Sequence, residues 1–236
     1  DPAAKVLFAT HLLSASVMAV PGSIVLAKML CPQTEEATDH VAISGKEKEN
    51  SNILDAISSG TVTGVKLMTN IAAMLLVFIS LVALANYITE GVIGRYTGLN
   101  DWIVKITDGK AQGLTFQFIL GVITSPFMWL IGVPSQDIML VGSLLGQKTI
   151  LNEFVAYFQL QQWKDAGLFM YEKSILMSTY ILCGFANISS IGILLGGLGV
   201  LAPEKRGLIS RIGLPAMIGG ALVSVLSATI IGMILG

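Results

Sequence analysis

A lone acid and a short polar cluster carry what chemistry this sequence offers. Glu153 stands where the neighbours on either side, apart from Asn152 and Lys148, are apolar or neutral. The cluster is Cys183-Gly184-Phe185-Ala186-Asn187-Ile188-Ser189-Ser190, inside an uncharged run from Ser174 to Ala202. At bilayer depth an ionised carboxylate costs about 2.5–3.5 kcal/mol on insertion scales, so Glu153 needs a partner. One option is a structural ion pair with Lys148. The other is a polyhydroxyl ligand whose hydroxyls donate to the carboxylate. Asn187 and Ser190 would share one face of a continuous helix. If the chain unwinds at Gly184, their amide and hydroxyl can converge with freed backbone groups on a ligand. Together they offer donors and acceptors, which suits a neutral sugar. The structural alternative is a hydrogen bond to a neighbouring helix. Phe185 can stack on a flat base or sugar face, or simply pack.

The elements that must position these residues are membrane helices. The chain has 236 residues, 53% of them hydrophobic and 12% charged. Its mean hydropathy is +0.76. A soluble domain carries about 25% charge. Uncharged runs over Leu67–Thr89, Leu114–Gln136, Ser174–Ala202 and Ile212–Gly236 each reach the roughly 20 residues that a bilayer-spanning helix needs. The pattern predicts an all-α integral membrane protein.

Along the chain, residues 1–31 read as an apolar membrane helix that the Pro21-Gly22 pair breaks or kinks. Residues 32–66 read as a polar loop followed by a surface helix from 53. A span at 67–89 and a polar connection, rich in charge from Glu90 to Lys110, fill 67–112. Tyr96 and Trp102 suit the headgroup level. The last region, 113–236, opens on a kinked or interfacial helix around Pro126. Ile138–Leu151 is apolar but too short to cross. With a turn at Gly146-Gln147-Lys148-Thr149 and a second arm after Asn152, it predicts a re-entrant hairpin over 135–163. Gly142 and Gly146 would let its arms approach closely. A broken helix follows over 174–202, and a last span over 212–236. The Lys205, Arg206 and Arg211 cations between them place that loop on the cytoplasmic side. The glycines at 192, 196, 197 and 199 read as a helix-packing stripe rather than a phosphate site.

Several function classes are excluded. No basic block suits a nucleic acid. No P-loop, HExxH or Gly-x-Ser-x-Gly nucleophile motif occurs. His11 and His40 are isolated, Cys31 and Cys183 read as packing thiols, and no metal site or cofactor can be assembled. An enzyme using Glu153 as acid or base lacks a second catalytic group. The start at Asp1, without Met, reads as the opening of a fragment of a longer protein.

At two motifs the chain resembles the concentrative nucleoside transporter family. They are Gly146-Gln147-Lys148-Thr149-Ile150-Leu151-Asn152-Glu153-Phe154-Val155-Ala156-Tyr157 and Leu182-Cys183-Gly184-Phe185-Ala186-Asn187-Ile188-Ser189-Ser190-Ile191-Gly192. Weaker similarity covers Leu13–Glu36 and the span near Asn70. The resemblance implies a transporter fold with a re-entrant hairpin and a discontinuous helix, the second half of an inverted repeat plus a scaffold helix. It implies a homotrimer in the plasma membrane (the inner membrane, if bacterial) that imports nucleosides with sodium or protons. Glu153, Asn187 and Ser190 would bind the ribose hydroxyls, with Phe185 lining the pocket. The family's base-reading Gly-Gln-Thr-Glu hairpin, which also helps bind the coupling cation, has no counterpart here. Gln33-Thr34-Glu35 follows Cys31-Pro32 in a polar loop instead. The cation site is therefore expected outside this chain, in a missing N-terminal half. A non-transporting nucleoside sensor or structural subunit of the same fold is the alternative.

Overall fold

The computed structural model describes residues 2–32, 52–107, 109, 111–201 and 203–236. Among them every regular element is a helix. Residues 33–51, with Gln33-Thr34-Glu35, lie outside the described residues. Two compact units form, one from residues 1–32 and 85–236 and the other from 33–84.

The second unit is built on α2 (Ile53–Asn86), whose end enters the first. This helix is continuous across the boundary at which the sequence separated a surface helix from a span. Its Gly60 and Gly64 do not interrupt it, since one exposed helical glycine costs only about 1 kcal/mol. The Asn70 side chain lies outside the described residues.

The first unit opens with α1 (Pro2–Leu30). After α2 come a π-helical turn (Tyr87–Gly94), α3 (Arg95–Thr97) and α4 (Leu99–Ile106). Two asparagines clamp this irregular stretch to the next helix, α5 (Phe116–Leu130). Asn86 Oδ1 accepts from the Phe116 N–H at 2.7 Å, and its Nδ2 donates to Gln117 Oε1 at 3.1 Å. Asn100 Oδ1 accepts from the Leu114 N–H at 2.9 Å, and its Nδ2 donates to Glu90 O at 3.0 Å. One of these bonds satisfies a carbonyl of the π-turn itself, that of Glu90, and the other three hold the approach to α5.

Next come α6 (Ile138–Ile150), α7 (Glu153–Asp165), α8 (Glu172–Leu182), α9 (Ile188–Leu201) and, after a short 3-10 turn at Pro203–Lys205, α10 (Arg206–Ile234). Residues 6–30 of α1 and all of α10 are each long and apolar enough to cross a membrane. Helices α5 and α6 pack along each other, and α10 packs on α1, α8 and α9. One core cluster joins Met128, Val141, Leu145, Met177, Ile181 and Ala228. A second joins Leu144, Ala156, Leu160 and Leu182.

Four sequence expectations change. Of the break or kink expected at Pro21-Gly22, the break does not occur: α1 is one helix from Pro2 to Leu30, and its packing on α10 offsets the lost backbone bond. A Cβ on Gly22 would come 3.1 Å from Val223 Cγ1. The Gly146–Thr149 segment is the last turn of α6, and the hairpin turns at Leu151-Asn152 instead. Gly142 and Gly146 seat α6 against α5, not against α7. Added Cβ atoms would come 2.7 Å from Thr124 Oγ1 and 2.5 Å from Leu120 Cβ. Arg206 and Arg211 belong to α10, so the loop before it is shorter than 203–211. Elsewhere on α10, Gly213, Gly219, Gly220 and Gly232 each face a close neighbour, respectively Ile191, Leu30, Ala186 and Met177. Gly192 faces open space.

Candidate functional site

The site forms where the tip of the α6–α7 hairpin meets the gap between α8 and α9. Asn152 makes the tip. Its backbone is extended and its Oδ1 accepts from the Val155 N–H at 3.0 Å, so it is the N-cap of α7. Glu153 is thereby placed in the first turn of α7, where the helix dipole favours an acid. Tyr157, one turn on, donates from its hydroxyl to Thr179 O at 2.9 Å and ties α7 to α8. At the base of the hairpin the buried Asp137 accepts from the Met170 and Tyr171 N–H groups, each at 3.1 Å.

The gap spans residues 183–187. Gly184 has φ +135°, a conformation that side-chain-bearing residues rarely adopt. A Cβ there would also come 2.7 Å from Ser224 Oγ. Asn187 ends the gap as the cap of α9. Its Oδ1 accepts from the Ser190 N–H at 2.8 Å and from Ser189 Oγ at 2.6 Å. Ser190 Oγ donates to Asn187 O at 2.6 Å and accepts from the Asn187 N–H at 3.3 Å.

At Glu153 the hairpin meets the cap of α9. Asn187 Nδ2 donates to Glu153 Oε2 at 2.8 Å. Asn187 and Ser190 are buried, whereas Glu153 is partly exposed. The carboxylate therefore sits beside the N-terminal ends of two helices, α7 and α9, both of which favour negative charge. The two charges of Glu153 and Lys148 act on each other through space, but the Lys148 ammonium donates its hydrogen bonds to other groups. Its Nζ donates to Ile181 O at 2.7 Å and to Ser224 Oγ at 2.9 Å.

Phe185 is 48% exposed. With Ser190 it borders an open-sided cavity of about 300 Å³ lined by α1, the gap, α9 and α10, whose wall is largely apolar and includes Ala19, Leu194 and Met217. Glu153 does not line this cavity. Among the described residues, no group of three or more His, Cys, Asp or Glu side chains gathers as a metal site. His11 is not isolated in the fold, since its Nδ1 lies 3.2 Å from the Tyr180 hydroxyl.

The arrangement links Glu153, Asn187 and Ser190 by hydrogen bonds, while Phe185 shares a cavity wall with Ser190 alone of the three. Sequence reading missed Ser224, which gives no signal in an apolar helix. It weighed Lys148 only as a partner of Glu153. A cation alone at the end of the apolar stretch 138–147 was the available clue.

Residues 11–232 match the family model described as Na+ dependent nucleoside transporter C-terminus. The chain is 39% identical over 230 residues to an uncharacterized transporter of Haemophilus influenzae, covering 96% of this chain and 52% of that one. It is 36% identical over 228 residues to the nucleoside permease NupC of Helicobacter pylori, covering 96% and 51%. It is 38% identical over 240 residues to sodium/nucleoside cotransporter 1 of Rattus norvegicus, covering 96% and 35%. Among solved structures it superposes on CNTnw in an inward-facing substrate-bound state with TM-score 0.79 and 36% identity, covering 94% of this chain and 49% of that one. A variant of CNTnw in an outward-facing state gives TM-score 0.83 and 37% identity, covering 96% and 51%. The chain thus spans about half the length of its bacterial relatives or less. With this match along nearly its whole length, the chain belongs to the Na+-dependent nucleoside transporter family, of which it carries the C-terminal region.

Proposed function

We propose that the chain is the C-terminal part of a cation-coupled transporter that imports nucleosides by alternating access, and that this part binds the ribose. The observation that carries the reading is the Asn187–Glu153 hydrogen bond of 2.8 Å between two interrupted helical elements. A carboxylate can accept about four hydrogen bonds, and Asn187 supplies one. Glu153 accepts hydrogen bonds from the ribose hydroxyls. Asn187 donates with its second amide N–H, and Ser190 Oγ accepts with its second lone pair. Phe185 offers its exposed ring to the sugar or base.

Several further features belong to the same reading. Helices α6 and α7 have 13 residues each, about 20 Å at 1.5 Å per residue. Arms that short, against a hydrocarbon core of about 30 Å, support a re-entrant hairpin. The coupling cation, sodium or proton, binds in the rest of the protein, which also reads the base. Three copies assemble in the plasma membrane, or in the inner membrane of a bacterium. The bilayer surrounds the exposed apolar faces of α1 and α10.

Uptake into proteoliposomes holding the intact protein tests this reading. Wild type accumulates nucleoside when a sodium or proton gradient is imposed, and Glu153→Gln abolishes most of that uptake. Nucleosides lacking a ribose hydroxyl are rejected, because buried polar groups would then be left unpaired. Undiminished uptake by Glu153→Gln removes Glu153 from the site. Binding without accumulation under either gradient would favour a sensor.

A further inference from the structure

Lys148 takes no part in the proposed sugar site, yet it is fully buried. Its ammonium meets a carbonyl and a hydroxyl, not a carboxylate. The carbonyl is that of Ile181, in the last turn of α8, where helix carbonyls lack intrahelical donors and carry partial negative charge. The hydroxyl is that of Ser224 on α10, which in turn donates to Cys183 O at 2.8 Å. The ammonium thus satisfies one carbonyl at the α8 side of the gap and, by bonding Ser224, holds the hydroxyl that satisfies a second. Free carbonyls at the C-terminal end of a broken membrane helix are a place where cations bind.

The hairpin tip grips the gap at two points. Lys148, in the last turn of α6, holds the C-terminal end of α8. Glu153, in the first turn of α7, holds the N-terminal cap of α9 through Asn187. The cation faces the negative helix end and the anion faces the positive one. Neither contact is interchangeable with the other, so the pair sets one register between tip and gap.

We propose that Lys148 is a positioning residue, a tethered ammonium seated where a free cation would otherwise bind at the end of α8, and that it fixes the gap so that Asn187 meets Glu153. This rests on the nucleoside reading of the Glu153 site for its effect on transport, but not for its effect on the fold.

Two substitutions separate charge from bulk. Lys148→Ala opens the carbonyl end, and Lys148→Met fills the space without charge. Both are measured in the intact protein, by nucleoside uptake in liposomes and by melting temperature in detergent. Lys148→Ala is expected to raise the KM by about tenfold, the scale of one lost charge-assisted hydrogen bond. Methylammonium restores both its KM and its melting temperature. Tetramethylammonium, which has no N–H donor, restores neither. Lys148→Met shows the same rise in KM with no rescue. Ser224→Ala is the milder variant, should the lysine variants fail to fold, and raises KM by about threefold. The proposal is overturned if methylammonium leaves Lys148→Ala unchanged, or if Lys148→Met or Ser224→Ala keeps the wild-type KM. Should wild type take up no nucleoside, the transport reading fails by itself, and the methylammonium-dependent melting temperature still decides the role of Lys148.

Discussion

The hairpin carries a carboxylate at each end, and the two are put to different use. Asp137, at the base, is fully buried and accepts from two backbone N–H groups of the α7–α8 connection. Glu153, at the tip, is partly exposed and accepts from a side chain across a helix gap. Backbone donors are fixed by the fold, so Asp137 is a structural clip. A partly exposed carboxylate with acceptor capacity to spare can be shared with a ligand, so Glu153 is the group available for chemistry. The asparagines divide in the same way. Asn86 and Asn100 spend both ends of their amides on the stretch around the π-turn. Asn187 spends its oxygen on α9 and offers its nitrogen to Glu153.

Substitutions at these positions can break that contrast, and the largest effect is expected at the tip. Glu153→Gln keeps an acceptor for Asn187 but loses charge-assisted bonds to a hydroxyl ligand, each worth about 1.5–3 kcal/mol. Nucleoside affinity should fall by roughly tenfold to a hundredfold, with the melting temperature in detergent nearly unchanged. A large loss of stability would instead make Glu153 a second clip.

Asp137→Ala should do the reverse. It strands two N–H groups at the hairpin base, at about 1–3 kcal/mol per unsatisfied group. The melting temperature drops, while the folded fraction binds nucleoside with wild-type affinity. An affinity change as large as that of Glu153→Gln would erase the distinction between base and tip.

Gly146→Ala tests the packing that supports the tip. Its new Cβ would come 2.5 Å from Leu120 Cβ, and such overpacking costs about 1–3 kcal/mol. The variant should melt earlier; if it does not, α5 is free to give way. The smallest effect is expected from Gly192→Ala, where a Cβ meets nothing within 4 Å. Its stability should stay within about 0.5 kcal/mol of wild type. A clear loss there would show that the face of Gly192 packs against other parts of the protein.

Much of the architecture was legible in the residues because bilayer depth is unforgiving. Uncharged runs of set length marked α5, α10 and the helix broken at Gly184. The shortness of Ile138–Leu151 marked a hairpin. Glu153 and Asn187 were legible for the same reason, since polar groups in apolar runs must find partners. Turn positions were less legible. Gly146 was read as a turn because glycine favours one, yet it lies in a helix where only a hydrogen atom fits beneath Leu120. Pro21-Gly22 was read as a break or a kink, and packing on α10 keeps α1 free of the break.

What the sequence determined by itself is the inventory: helices, their approximate lengths, and the few polar groups buried among apolar ones. Which groups meet was decided only by tertiary structure. The pairing of Glu153 with Asn187 spans 34 positions and that of Lys148 with Ser224 spans 76. No local pattern encodes such a distance. The ammonium went to a helix's carbonyl end, and the carboxylate to helix N-termini, because those partial charges exist only once the helices have formed and docked.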